Sequence, residues 1–259
     1  MVLRDKFWLW GHPEGRYNAE YGNENKSRMT PMEGCMYLGV RNVFMVPVET
    51  EVNARQYNKS FRTLNEVGWG YRYPRDLKEL EEIMEYTKEF PNITCVALDD
   101  FKNDSFHNQR PIEELAAFID KLHNNQPRRL DTWMILYTWL FGTDAQEDQD
   151  FQKYVDLLDG VIMWTWKESD VPLIPEKFEL FKKMTENKRR MVGVYLYNFG
   201  ESKQATGEAV KWQLDFWREK LLAGEIEGIV LHTNTMADLD YEAYDAAIEW
   251  MDAHGDEEI

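Results

Sequence analysis

The chain has 259 residues, of which 43% are hydrophobic and 14% aromatic, and its 30 Lys and Arg face 47 Asp and Glu for a formal net charge of −17 at pH 7. That balance argues against a nucleic-acid partner, whose phosphates demand clustered cations, and against a polyanionic substrate. No run of about 18 apolar residues is present to cross a bilayer, and the N-terminus passes into a strand with no signal-peptide pattern, so neither a membrane nor secretion is expected and the location predicted is cytoplasmic.

In chain order, Phe7-Trp8-Leu9-Trp10 reads as a first strand, stopped by Gly11-His12-Pro13-Glu14-Gly15. A long polar stretch follows, then a helix opened by Pro31 with Thr30 as its N-cap. Asn42 to Pro47 is the second strand, Asn58 to Val67 a helix with apolar Phe61, Leu64 and Val67, and Gly68 to Tyr73 a third strand weakened by its glycines. Asp76 to Phe90 is a strongly amphipathic helix. It delivers the chain to Ile93-Thr94-Cys95-Val96-Ala97-Leu98, an apolar strand that ends on Asp99 and Asp100.

The pattern then repeats. Helix 111–123 is followed by strand 132–140, helix 151–158 by strand 160–166, helix 176–186 by strand 191–198, helix 207–222 by strand 228–234, and helix 241–254 closes the chain. Cys35 and Cys95 fall at apolar core positions of a helix and a strand, which makes a disulfide improbable and a reducing compartment the expectation.

Strict alternation of apolar strands and amphipathic helices implies parallel strands joined by crossovers. Eight such units in a chain near the roughly 250 residues usual for the architecture predict an α/β protein, a single-domain (β/α)8 TIM barrel. An open doubly wound sheet is the alternative, but it usually carries a G-x-G-x-x-G turn after its first strand, and Gly11 and Gly15 lack that spacing.

A barrel opens its active site at the C-terminal ends of its strands. Those ends offer Trp10, His12 and Glu14; Glu49 and Glu51; Arg72 and Tyr73; Asp99 and Asp100; Tyr137 and Trp139; Trp164, Trp166, Lys167 and Glu168; Tyr195, Tyr197 and Asn198; and His232 and Asn234. The opposite ends offer Arg128, Arg129, Arg189 and Arg190, suited to a solvated base. Carboxylates ringed by Trp and Tyr fit carbohydrate chemistry, because sugar C–H faces stack on aromatic rings while carboxylates act on the glycosidic oxygen and the anomeric carbon. Any one of these aromatics has a plainer use in core or rim packing, and only their number favours a sugar site. Adjacent strand residues point to opposite faces, so Asp99 and Asp100 cannot both face the axis unless the chain has already turned, and a turn or cap is the plain use for either.

The stretch Leu98-Asp99-Asp100-Phe101 at the end of the fourth strand resembles the adjacent-aspartate site of retaining hexosaminidases that use substrate-assisted catalysis, the O-GlcNAc hydrolase type. The resemblance spans about four residues and their place in the fold. It implies that Asp99 orients and polarises the substrate's 2-acetamido group while Asp100 is general acid and base, with Asn198 or Asn234 as sugar-hydroxyl ligands. Three other readings stay open. Asp100 and Glu168 could form a conventional glycosidase pair. His12, Glu49, Asp99 and His232 could hold a divalent ion in a sugar isomerase or epimerase, although no H-x-H, H-E-x-x-H or C-x-x-C spacing supports one, and neither a metal nor a cofactor is expected. A barrel that binds sugar without chemistry is the third.

Overall fold

In the computed structural model the described residues are 1–47, 52–72 and 77–259. They form a closed barrel of parallel strands in the order β1-β2-β3-β4-β5-β6-β7-β8. The strands are β1 (Phe7–Gly11), β2 (Asn42–Met45), β3 (Glu66–Tyr71), β4 (Ile93–Leu98), β5 (Asp131–Tyr137), β6 (Gly160–Trp164), β7 (Arg189–Tyr195) and β8 (Gly228–His232). Between and after them run α1 (Pro31–Leu38), α2 (Ala54–Ser60), α3 (Leu77–Tyr86), α4 (Ile112–His123), α5 (Ala145–Val155), α6 (Ile174–Met184), α7 (Gly207–Leu222) and α8 (Glu242–His254). The expected (β/α)8 TIM barrel is the fold observed.

Several boundaries move, each for a local reason. The helix expected over 58–67 is α2, seven residues long and earlier in the chain. Asn53 caps it by accepting from the Gln56 backbone N–H at 3.0 Å. Phe61 belongs to a short 3-10 turn and Val67 to β3, so the three-residue spacing of Phe61, Leu64 and Val67 is not a helix face. Strand 132–140 stops at Tyr137, and Thr138–Leu140 is a 3-10 turn. Helix 151–158 begins earlier, at Ala145, with the Asp144 side chain accepting from the Gln146 and Glu147 N–H groups. Its first turns are polar and gave no apolar period. Thr30 caps α1 as expected, in a capping box with Glu33.

The interior is filled by large rings set against glycines on the neighbouring strand. Trp8 stacks on Phe44 at 4.5 Å, and Trp10 meets Trp164 across the barrel at 5.7 Å. A Cβ on Gly68 would lie 2.4 Å from the Phe44 ring, one on Gly160 2.3 Å from Trp133, and one on Gly193 2.1 Å from Trp164. Of the glycines that weaken β3 as a sequence, Gly68 is therefore the room that the Phe44 ring needs, and Gly70 gives the same room to Val46. Cys35 and Cys95 are both buried free thiols. No helix among the described residues is long and apolar enough to cross a membrane.

At the N-terminal end of the barrel, Asp131 pairs with Arg129 and Arg189, and Arg189 also reaches Glu227 Oε1 at 2.6 Å. Asp159 pairs with Arg129 and with His123 Nε2 at 2.8 Å. Two of the arginines expected at this base thus work in an ion-pair network that ties strand starts together.

Candidate active site

β4 ends where its ladder with β3 does. One residue past the strand, the Asp99 N–H still donates to the Tyr71 carbonyl at 3.0 Å, so alternation carried one residue on puts Asp99 on the face of Cys95 and Ala97. The Cys95 sulfur lies among the interior atoms around Gly68 and Phe44, which makes that face the axial one. Asp99 accordingly looks into the mouth, where its charge bears on the phenols of Tyr17, Tyr137 and Tyr195. Asp100 takes a left-handed φ of 51°, so the chain turns there. That turn lets both carboxyl groups reach the mouth region, which strand alternation alone forbids.

Among the described residues, two side chains donate to Asp100. The Arg72 guanidinium donates to Oδ2 and the Tyr137 hydroxyl to Oδ1, each at 3.2 Å. Both are long for charge-assisted bonds, and Arg72 and Asp100 are each partly exposed, so the pair is loose enough for a ligand to compete. Tyr195 lies beside Tyr137. Burial first, then neighbouring phenols and the two aspartates, push both phenols well above their ordinary range and keep them protonated.

Beneath this layer lies a neutral polar floor. His12 Nδ1 contacts the Val46 carbonyl at 2.9 Å, which fixes Nδ1 as the protonated nitrogen and leaves Nε2 as the acceptor. Tyr17 Oη lies 3.2 Å and His232 Nε2 3.3 Å from that acceptor. Burial pushes His12 down to about 3 and His232 well below its ordinary value.

Aromatic rings wall the mouth. Trp166 stands 5.4 Å from Tyr195, 5.9 Å from Phe199 and 6.1 Å from Tyr137. Tyr195 lies 4.8 Å from His232. Trp139 stacks on Tyr137 at 6.0 Å and 17° and is 49% exposed.

Of the residues expected from sequence, Asp99, Asp100, Arg72, Tyr137, Trp166, Tyr195, His12 and His232 are thus brought together. The others have different partners. Glu14 accepts from the Tyr57 hydroxyl at 2.9 Å, in the cleft between the β1–α1 loop and α2. Glu168 accepts from the Thr206 N–H at 2.8 Å and hydroxyl at 3.2 Å, where α7 begins. Asn198 accepts from the Glu168 N–H and donates to Glu201, and Tyr197 donates to the Tyr21 carbonyl at 2.9 Å. Asn234 brackets His12, accepting from its N–H at 2.8 Å and donating to its carbonyl at 3.0 Å. Trp10 and Trp164 belong to the packed interior. Glu49, with Glu51 and Tyr73, lies outside the described residues. Among those described, no group of three or more His, Cys, Asp and Glu is gathered to hold a metal ion.

Sequence reasoning missed Tyr17, Tyr21 and Phe199. Tyr17 and Tyr21 come from the polar stretch after β1 and pack on Phe199 at 4.8 and 5.3 Å. Their one signal was two tyrosines in a run otherwise nearly free of large rings.

No family model and no curated protein matches the sequence. Solved structures do match the fold over nearly its whole length. Active domain 2 of a thermostable chitinase from Pyrococcus furiosus, solved as catalytic-site mutants with chito-oligosaccharides, matches with a TM-score of 0.62 at 11% identity, covering 96% of this chain and 95% of that one. The PgaB (BpsB) glycoside hydrolase domain from Bordetella bronchiseptica matches at 0.56 and 10% identity, covering 93% and 98%. At these identities the likeness is one of fold: a tryptophan synthase α-subunit from Pyrococcus furiosus matches the same barrel at a TM-score of 0.53 and 10% identity, covering 96% of this chain and 97% of that one.

Proposed function

We propose that this glycoside hydrolase-like barrel is a carbohydrate-active enzyme that hydrolyses glycosidic bonds with the Asp99–Asp100 pair. The observation that carries the reading is the pair itself: adjacent carboxylates at the C-terminal mouth, Asp99 turned to the axis and Asp100 oriented by Arg72 and Tyr137, inside a wall of Trp166, Tyr195 and Phe199. The structures that share the fold lend support, one a chitinase domain complexed with chito-oligosaccharides and the other the PgaB glycoside hydrolase domain.

In this proposal Asp100 gives its proton to the glycosidic oxygen as the bond from that oxygen to the anomeric carbon breaks. Asp99 holds and polarises the substrate's 2-acetamido group, whose carbonyl oxygen forms the new bond to the anomeric carbon. Water then attacks that carbon, its proton passes to Asp100, and the acetamido group is released with net retention. Trp166 and the rings beside it present faces for the sugar, and Tyr137 keeps the Asp100 carboxyl aimed. Glu168, held at the start of α7, has no part in it.

A panel of chromogenic α- and β-glycosides, including the N-acetylglucosaminide, tests the function with wild type and Asp100→Asn side by side, with and without a chelator. Hydrolysis that Asp100→Asn lowers about 10²- to 10⁴-fold, and that the chelator leaves alone, is the expected result. Activity unchanged in Asp100→Asn removes the role given to it, and turnover lost to the chelator moves a metal-dependent reaction ahead.

A further inference from the structure

Two residues past the aspartate pair stands a buried cation that the proposed chemistry does not use. Lys102 is fully buried, at 0% exposure. An ammonium in that position is costly unless it is paired and hydrogen-bonded. It is both. Nζ donates to the Leu140 carbonyl, lies 2.9 Å from Glu147 Oε1 and 3.7 Å from Asp148 Oδ1, and sits 4.8 Å over the Phe151 ring.

Every one of these partners belongs to the β5–α5 unit. Leu140 ends the 3-10 turn that follows β5, and Glu147 and Asp148 are in the first turn of α5. The lysine itself belongs to the loop after β4. Lys102 therefore straps one loop to the other, and among the contacts that bridge the same two units is that of Tyr137 on β5 with Asp100 after β4, at 3.2 Å.

Asp100 needs such support. A left-handed φ at a residue other than glycine is retained where the surroundings over-determine it. Here the two residues that follow, Phe101 and Lys102, are both at 0% exposure and fix the chain on the exit side of the turn.

We propose that Lys102 is a positioning residue, which sets the Tyr137–Asp100 contact by tying the β4–α4 loop to the β5–α5 loop. The inference rests on the function proposed above, because it takes Asp100 as the reacting group.

Lys102→Met is the first variant, since it keeps the apolar stem and leaves Glu147 and Asp148, both partly exposed, able to rehydrate. Glu147→Gln is the second, at a site exposed enough that the fold survives. On the glycoside that wild type turns over best, kcat should fall by up to about 10-fold in Lys102→Met, no more than in Tyr137→Phe, and less in Glu147→Gln, with KM within a few-fold. In a Tyr137→Phe background the same substitutions should cost under about 3-fold, because the contact they position is already gone. An arm that needs no turnover is the ¹³C NMR titration of the Asp100 carboxyl. Lys102→Met and Tyr137→Phe should each shift its midpoint, and the double variant should match Tyr137→Phe alone. Losses that multiply independently in the cycle, or an Asp100 titration that Lys102→Met does not move, overturn the proposal and leave Lys102 a purely structural strap. If wild type hydrolyses no glycoside, the functional reading falls and the NMR cycle alone decides the role of Lys102.

Discussion

Asp99 and Asp100 differ in what holds them, and the difference is made by one backbone angle. Asp99 is still on the ladder, while Asp100 has left it and meets Arg72 and Tyr137. Tyr137→Phe removes the phenolic donor to Asp100 without changing the ring that Trp139 and Trp166 pack on, so kcat on a glycoside should fall by about 10-fold with little loss of stability. An unchanged kcat would mean that the hydroxyl does not aim the carboxyl. The floor below makes a separate prediction. His12 titrates near 6.5 when unfolded and near 3 when folded. Between those values the unfolded chain binds a proton that the folded one refuses, so this contribution is complete above about pH 6.5 and is lost as the pH falls through that window. Urea unfolding at pH 7.5, 5 and 4 should show stability dropping, by roughly a few kcal/mol in all from this group, and His12→Gln should flatten the drop. A drop just as steep in His12→Gln would assign it to His232, which burial also holds well below its ordinary value and which therefore acts over the same window.

The barrel interior depends on glycine facing ring. At Gly193 a methyl group would come within 2.1 Å of the Trp164 indole, which is itself confined by Trp10 and Tyr195. Gly193→Ala should therefore cost about 1–3 kcal/mol or more, read as a lowered Tm. A variant as stable as wild type would show that Trp164 can move aside. Because Tyr195 ends the same strand and lines the mouth, this packing also fixes one wall of the site. The strand ends are where sequence reading was least able to see orientation. Glu168 and Asn198 follow β6 and β7 closely, yet their side chains serve the start of α7 and the short turn after β7, because the chain has left the strand and alternation no longer decides direction.

Across the molecule, the order of strands and helices was legible because each strand is an apolar run and most helices have a regular apolar stripe. The exceptions explain themselves: α5 opens with two polar turns, and α2 is short and followed by apolar residues that belong to β3. The aspartate pair was legible because two charges at the end of an apolar strand have no place in a core. Tyr17 and Phe199 were not, since they reach the mouth through loops whose course depends on the finished barrel, such as the bracket that Asn234 places around His12. The neutral histidine floor was also hidden, because burial and not sequence spacing sets its charge.

Leaving-group dependence is the most direct test of proton transfer and substrate orientation by the Asp99–Asp100 pair. Wild type, Asp99→Asn and Asp100→Asn would be compared on N-acetylglucosaminides with a poor leaving group and with a highly acidic phenol that departs without a proton. Asp100→Asn should lose most of its rate on the first substrate and keep much of it on the second, while Asp99→Asn should be slow on both. Equal losses of Asp100→Asn on the two substrates, or none on either, would contradict these roles.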